Sequence, residues 1–275
     1  MGIIRRVLRR LFTIQKVVKL NISYVNPSSR FIGKHVLVTG GSSGIGFAVA
    51  KAFLLEGANV LICARDRARL EEAAQKLNSN LLATMVFDLA DIKTMKSKLE
   101  VASEQLAGID IFVNCAGVSS FSGGDDSEEM YDYICDINTK GLYFANKYEG
   151  DYFLDRRSCG KIINITSKAG ERIGFDPYIL SKWGANSITK GNARRLAPYH
   201  INVNGVAPGR VPTNITAELQ SHMECINGGN AYTPQHSTGR FTMPDEVAAM
   251  VLYLASDVAN NIVGQIVVMD GGSYS

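Results

Sequence analysis

The chain has 275 residues, of which 46% are hydrophobic and 20% charged, with 26 Gly and 7 Pro. That length allows one large domain or two small ones, and the composition excludes a mostly disordered, collagen-like or multi-span membrane chain. The net charge of +3 is unevenly spread: residues 1–30 hold seven basic side chains and no acidic one, leaving 22 basic against 26 acidic side chains in the body. A body of that balance offers no concentrated basic face, and no nucleic-acid partner is expected.

The seven basic residues are Arg5, Arg6, Arg9, Arg10, Lys16, Lys19 and Arg30. Over residues 2–20 the apolar positions Ile3, Ile4, Val7, Leu8, Leu11, Ile14, Val17 and Val18 fall on one helical face, with the basic residues mostly on the other. Residues 1–32 therefore read as a basic amphipathic extension. It is too interrupted by charge to span a bilayer or act as a secretory signal. Contact with an anionic membrane surface, organellar targeting, docking on another subunit and packing on its own domain all remain open for it. Five cysteines, Cys63, Cys115, Cys135, Cys159 and Cys225, are odd in number and widely spaced, with no metal-ligand pattern. Free thiols in a reducing, cytoplasmic setting are expected, with no metal; the extension can bring the protein to a membrane surface.

From residue 33 onward, short apolar runs alternate with segments of helical period, the pattern of parallel βαβ units. Seven strands are predicted, at His35–Val38, Val60–Cys63, Thr84–Phe87, Ile109–Asn114, Lys161–Thr166, Ile201–Val206 and Gln265–Met269. Most read as continuous apolar runs, which implies burial on both faces and helices on both sides of the sheet. Those helices are expected at about 45–56, 67–78, 91–107, 127–148, 177–197 and 244–256, with Pro177 and Pro244 where a first-turn proline is tolerated. Residues 33–275 thus form one doubly wound α/β domain. The aperiodic stretch 209–243 reads as a substrate lid, with partial disorder the competing explanation.

Directly after the first strand stands Thr39-Gly40-Gly41-Ser42-Ser43-Gly44-Ile45-Gly46. Glycines there allow a tight strand-to-helix turn and close backbone approach to a pyrophosphate, with the helix N-terminus facing the anion. The spacing differs from G-x-G-x-x-G, so this turn alone is a weak sign. Further on come Asn114-Cys115-Ala116-Gly117 after the fourth strand, Asn138 in a helical segment, Ser167 after the fifth strand, Tyr178 and Lys182 opening a helix, and Pro208-Gly209 after the sixth strand. In this order and spacing the motifs closely resemble the short-chain dehydrogenase/reductase family over residues 33–275. Arg240 to Pro244, Glu246 and the Asp270-Gly271-Gly272 ending resemble its single-domain branch of 3-oxoacyl-carrier-protein reductases and tropinone-reductase-like enzymes.

The resemblance implies a Rossmann fold with sheet order 3-2-1-4-5-6-7, a homodimer or homotetramer, and direct hydride transfer between a nicotinamide and a ketone or secondary alcohol, small or carrier-linked. A sugar or steroid ketone is the alternative substrate. A nucleotide-sugar epimerase or dehydratase and a non-catalytic dinucleotide-binding protein are more distant readings, the former disfavoured by the short chain beyond Gly209. In this family's terms Tyr178 donates the proton, Lys182 lowers its pKa from one helical turn away, Ser167 hydrogen-bonds the substrate oxygen, and Asn138 holds a water that feeds the lysine. The cofactor would contact Gly40, Ser42, Ser43, Gly44, Ile45, Gly46, Arg65, Asp88, Leu89, Asn114, Ala116, Gly117, Tyr178, Lys182, Pro208, Gly209, Val211 and Thr213.

At the end of the second strand, Ala64 leaves the usual ribose-binding acidic position neutral and Arg65 offers a planar fork to a 2′-phosphate. NADP(H) is therefore expected, with NAD(H) the alternative should Asp66 bind the ribose instead of capping the next helix. Asp88 likewise reads either as an adenine neighbour or as a helix cap. Two positions depart from the family pattern. Cys115 replaces the second amide of Asn-Asn-Ala-Gly, and Ser167 precedes Tyr178 by only 11 residues, which demands a tighter loop and leaves Thr166 as a fallback hydroxyl. Phe121 and Phe175 are either pocket walls or core anchors. The sequons at Asn21, Asn164 and Asn214 read as accidental, Asn164 because it falls in a buried strand.

Overall fold

The computed structural model describes residues 30–119, 127–213 and 237–273. Residues 1–29 of the amphipathic extension, Phe121, most of the expected lid and Cys225 lie outside these residues. Seven parallel strands form one sheet in the order β3-β2-β1-β4-β5-β6-β7. They are β1 (His35–Thr39), β2 (Asn59–Ala64), β3 (Leu82–Val86), β4 (Ile111–Asn114), β5 (Gly160–Ile165), β6 (Ile201–Pro208) and β7 (Ile266–Met269). The order reverses between β1 and β4, where the carboxyl ends of the strands diverge and leave a crevice.

Side chains alternate across each strand, so neighbouring residues enter different cores. Val36, Val38, Val60 and Ile62 pack with α1 (Gly44–Leu55), α2 (Arg67–Leu77) and, after the other helices, α7 (Pro244–Ala255). Leu37, Leu61, Phe112 and Ile162 face the other side, with α3 (Ile92–Leu106), α5 (Leu142–Asp155) and α6 (Pro177–Leu196). Phe53, Phe112 and Phe153 are fully buried, each worth about 2–3 kcal/mol of apolar transfer. Burial on both faces holds for the central strands. The edge strands β3 and β7 are mostly half-buried, because one flank of each lacks a neighbouring strand.

The segment expected as one helix over 127–148 has a different build. It comprises α4 (Glu128–Cys135), a π-helical turn at Asp136–Gly141, and then α5, which runs to Asp155. Gly141 brings this turn against the loop after β3, where a Cβ would lie 2.8 Å from the Leu89 carbonyl oxygen. The polar run Glu149–Asp151 interrupts the apolar period, yet Tyr152 and Phe153 beyond it are core residues that carry the helix on. Tyr152 also accepts a hydrogen bond from the Ile109 N–H at 2.9 Å, fixing α5 to the start of β4.

Candidate active site

The turn after β1 is shaped by what its glycines exclude. Gly40 has φ +67° and a Cβ there would lie 2.8 Å from the Ala116 backbone; at Gly46 it would lie 2.2 Å from the Gly40 carbonyl oxygen. Neither position admits another residue without displacing the chain. Gly44, at φ +54°, faces Thr213 across the crevice, with a virtual Cβ 3.1 Å from the threonine methyl. Ser43 caps α1 in an extended conformation without a side-chain hydrogen bond to the helix, whose first turn holds no acidic residue. The first-turn N–H groups and positive dipole end thus stand open to an anion, and the cradle fits a pyrophosphate.

Other expected cofactor residues gather around the same crevice. The Ala116 N–H donates to Thr39 Oγ1 at 3.3 Å, and the Gly209 N–H donates to the Met269 carbonyl at 2.9 Å. Ile45 and Val211 pack into the first core, Leu89 into the second, and Pro208 ends β6 fully buried. Gly117 lies beside Asn138 and Lys182, its virtual Cβ 3.3 Å from Asn138 Oδ1 and 3.5 Å from Lys182 Nζ. Arg65 Nη2 donates to the Tyr133 hydroxyl of α4 at 3.0 Å.

Three acids and amides near the crevice have local partners in the structure. Asp66 accepts from the Arg69 N–H at 3.1 Å and is the N-cap of α2, so helix capping accounts for it. Asp88 accepts from the Ala90 N–H at 2.9 Å, a local turn. Asn114, expected at the cofactor, is 1% exposed with its side chain directed into the protein. Its Nδ2 donates to Glu149 Oε2 and to Asn164 Oδ1, both at 3.0 Å. The strand-end amide thus braces β4 against β5 and α5.

Asp176 caps α6 by accepting from the Tyr178 and Ile179 N–H groups, which fixes the first turn bearing Tyr178. Ser167 lies just beyond the end of β5, accepts from the Ala169 N–H at 3.1 Å and stands close enough to the Tyr178 phenol to pull its pKa down. The short separation is absorbed by a tight helical turn at Lys168–Glu171, so serine and tyrosine still meet. Thr166 is no substitute, because its hydroxyl is directed at the Val206 carbonyl in β6 at 3.3 Å. Lys182 Nζ stands 5.6 Å from the centre of the Tyr178 ring and 3.5 Å from the Ile165 carbonyl oxygen.

The side chain of Asn138 is fully engaged by its neighbours. Its Oδ1 accepts from the Val118 N–H, and Nδ2 donates to the Val118 carbonyl at 2.8 Å and to Ser181 Oγ at 3.1 Å. Both amide hydrogens are taken, so this amide ties the chain leaving β4 to α6. The π-helical turn rotates it into that position.

Charge is also arranged differently from the simple picture of a lysine-acidified phenol. Burial pushes the Tyr178 phenol above its usual value, against the pull of Ser167. Burial brings the Lys182 ammonium down to about 8, with Cys115 opposing. Desolvation disfavours both charged forms, so an ammonium and a phenolate side by side each offset part of the other's cost. Tyr133, Ser181 and Glu149 were not read from the sequence; a tyrosine five residues before Asn138 carries no motif.

The family model described as Enoyl-(Acyl carrier protein) reductase matches residues 39–274. Galactitol 2-dehydrogenase (L-tagatose-forming) of Cereibacter sphaeroides is 31% identical, over 88% of this chain and 96% of that protein. The 3-oxoacyl-(acyl-carrier-protein) reductase FabG of Thermotoga maritima is 31% identical, over 88% and 98%. Among solved structures, a variant of actinorhodin polyketide ketoreductase with NADPH superposes at a TM-score of 0.78, with 28% identity over 87% of this chain and 97% of that one. The glycine cradle, the strand order and these matches together make the chain a member of the short-chain dehydrogenase/reductase family.

Proposed function

We propose that the protein is an NADP(H)-dependent oxidoreductase that interconverts a ketone and a secondary alcohol. The observation that carries this reading is Ser167 beside the Tyr178 phenol, with Lys182 Nζ 5.6 Å from that ring and one turn along the same helix, next to Gly117 and the glycine cradle. When bound, the nicotinamide supplies hydride to the carbonyl carbon or takes it from the alcohol. In the reducing direction Tyr178 gives its phenolic proton to the carbonyl oxygen while Ser167 donates a hydrogen bond to that oxygen. The Lys182 ammonium stabilises the phenolate left behind, and a solvent proton restores the phenol. Gly40, Ser42, Ser43, Gly44, Ile45 and Gly46 would hold the pyrophosphate, Ala116, Gly117 and Lys182 the nicotinamide side, and Arg65 the 2′-phosphate.

A 3-oxoacyl group carried by an acyl-carrier protein is the first substrate, supported by the likeness to FabG. A sugar or polyol ketone is second, supported by the likeness to galactitol 2-dehydrogenase. Oxidation of NADPH by purified protein over a panel of ketones tests the reaction. Tyr178→Phe should slow it by at least about 100-fold, and undiminished turnover by that variant would reject the assignment. Homo-oligomerisation is supported by Tyr143 on α5 and by Leu180 and Trp183 on one face of α6, all large, apolar and about half exposed. Sedimentation velocity reads it directly. A cytoplasmic enzyme drawn to anionic membranes by residues 2–20 is supported by their basic amphipathic pattern. Liposome co-sedimentation against a chain starting at Gly33 tests that part.

A further inference from the structure

We propose that Tyr133 is a positioning residue for cofactor choice: its hydroxyl tethers Arg65 at the adenosine end of the crevice and so sets the preference for a 2′-phosphate. The inference rests on the NADP(H) reading above. Arg65 leaves the carboxyl end of β2 and Tyr133 stands on α4, 68 residues away, so the contact bridges the two walls of the crevice there. Arg65 Nη2 donates to Tyr133 Oη at 3.0 Å, and the guanidinium carbon lies 5.7 Å from the ring centre.

The chemistry of the partner matters more than the bond itself. Asp66 and Asp88 are close enough to act on the charge of Arg65, and either could have neutralised it. Both are engaged elsewhere: Asp66 with the Arg69 N–H and Asp88 with the Ala90 N–H. Among the described residues neither forms an ion pair with Arg65. The guanidinium is therefore anchored by a phenol hydroxyl rather than by a carboxylate. A carboxylate anchor would have to be displaced by an incoming phosphate. A phenol restricts a long, many-rotamer side chain without cancelling its charge, and the remaining N–H groups can meet the phosphate as a fork. Arg65 is exposed and Tyr133 is 37% exposed, so an untethered arginine would sample many conformers in water.

Calorimetric binding of adenosine 2′,5′-bisphosphate and of 5′-AMP to the full chain separates this role from a structural one. Tyr133→Phe keeps the ring and removes only the hydroxyl. It should weaken the bisphosphate about threefold to fivefold and leave 5′-AMP within a factor of about 1.5, so that the ratio of the two affinities falls. The ratio of kcat/KM for NADPH to that for NADH should fall by the same factor. Equal weakening of both nucleotides, an unchanged ratio, or tighter bisphosphate binding would overturn the proposal. Arg65→Ala is the second arm, expected to lose the discrimination by tenfold or more. If Arg65→Ala loses it and Tyr133→Phe does not, the tether fails and the NADP(H) reading stands. If Arg65→Ala changes nothing, that reading fails and the tether with it.

Discussion

Glu149 is a carboxylic acid in the second core, 1% exposed on α5, with Asn114 Nδ2 as its hydrogen-bond donor. Burial raises its pKa to about 8 from the ordinary 4.5, with the Asn114 bond pulling the other way. A native pKa above the unfolded one means that the folded chain binds the extra proton. The stability so gained is complete below about pH 4.5 and is lost as the pH climbs through about 8. A gap of about 3.5 units at 1.36 kcal/mol each sets a ceiling of about 5 kcal/mol, and relaxation around a buried charge reduces it to about 2–4. Glu149→Gln keeps the shape and an acceptor for Asn114 but has no proton to lose. Urea unfolding at pH 5 and pH 8.5, at matched protein concentration, should therefore give two proteins within about 1 kcal/mol in acid, with the variant ahead by about 2–4 kcal/mol in alkali. Every other titrating group is common to both and cancels, apart from Cys63, whose raised pKa owes part to Glu149 but stays at about 12. A stability difference that does not change between the two pH values would refute the reasoning.

Lys182 makes a kinetic counterpart. Its ammonium, lowered to about 8 by burial, must be charged to support the phenolate, so kcat/KM for ketone reduction should fall as the pH rises through about 8. Glu149→Gln should retain that inflection, and a flat profile to pH 9.5 would remove the lysine from the mechanism. Gly46→Ala forces a methyl 2.2 Å from the Gly40 carbonyl oxygen; a loss of about 1–3 kcal/mol in thermal unfolding, together with weaker nucleotide binding, is expected. Asp66→Ala removes the α2 cap and should cost about 1 kcal/mol without moving the NADPH-to-NADH ratio, whereas a changed ratio would make the aspartate a ribose ligand after all.

All seven strands were legible because a parallel sheet buried on both faces leaves uninterrupted apolar runs, whereas their order came from the family resemblance. Ser167, Tyr178 and Lys182 were legible through the family resemblance, their order and spacing after a strand end and over the first two turns of a helix carrying the motif. Side-chain direction was harder to read. Asn114 stands at the cofactor end of β4, yet strand alternation sends its amide toward Glu149 and Asn164. Asn164 in turn is fully buried and bonded to Asn146 and Thr189, which closes that sequon to modification in the folded chain. The π-helical turn at Asp136–Gly141 was invisible because one additional residue per turn barely alters an apolar pattern already broken by polar residues. Tyr133 was missed because its partner is distant in sequence and the contact belongs to no motif.

The same turn acts as a rotational joint. A continuous α-helix would lock the azimuth of Tyr133 to that of Glu149, sixteen residues later, at 100° per residue. With a wider turn between them, the face of α4 that carries Tyr133 toward Arg65 and the face that α5 offers to the sheet are aligned separately. Deleting a single residue there would swing one face by about a quarter-turn relative to the other, so length in this stretch is constrained more tightly than residue type.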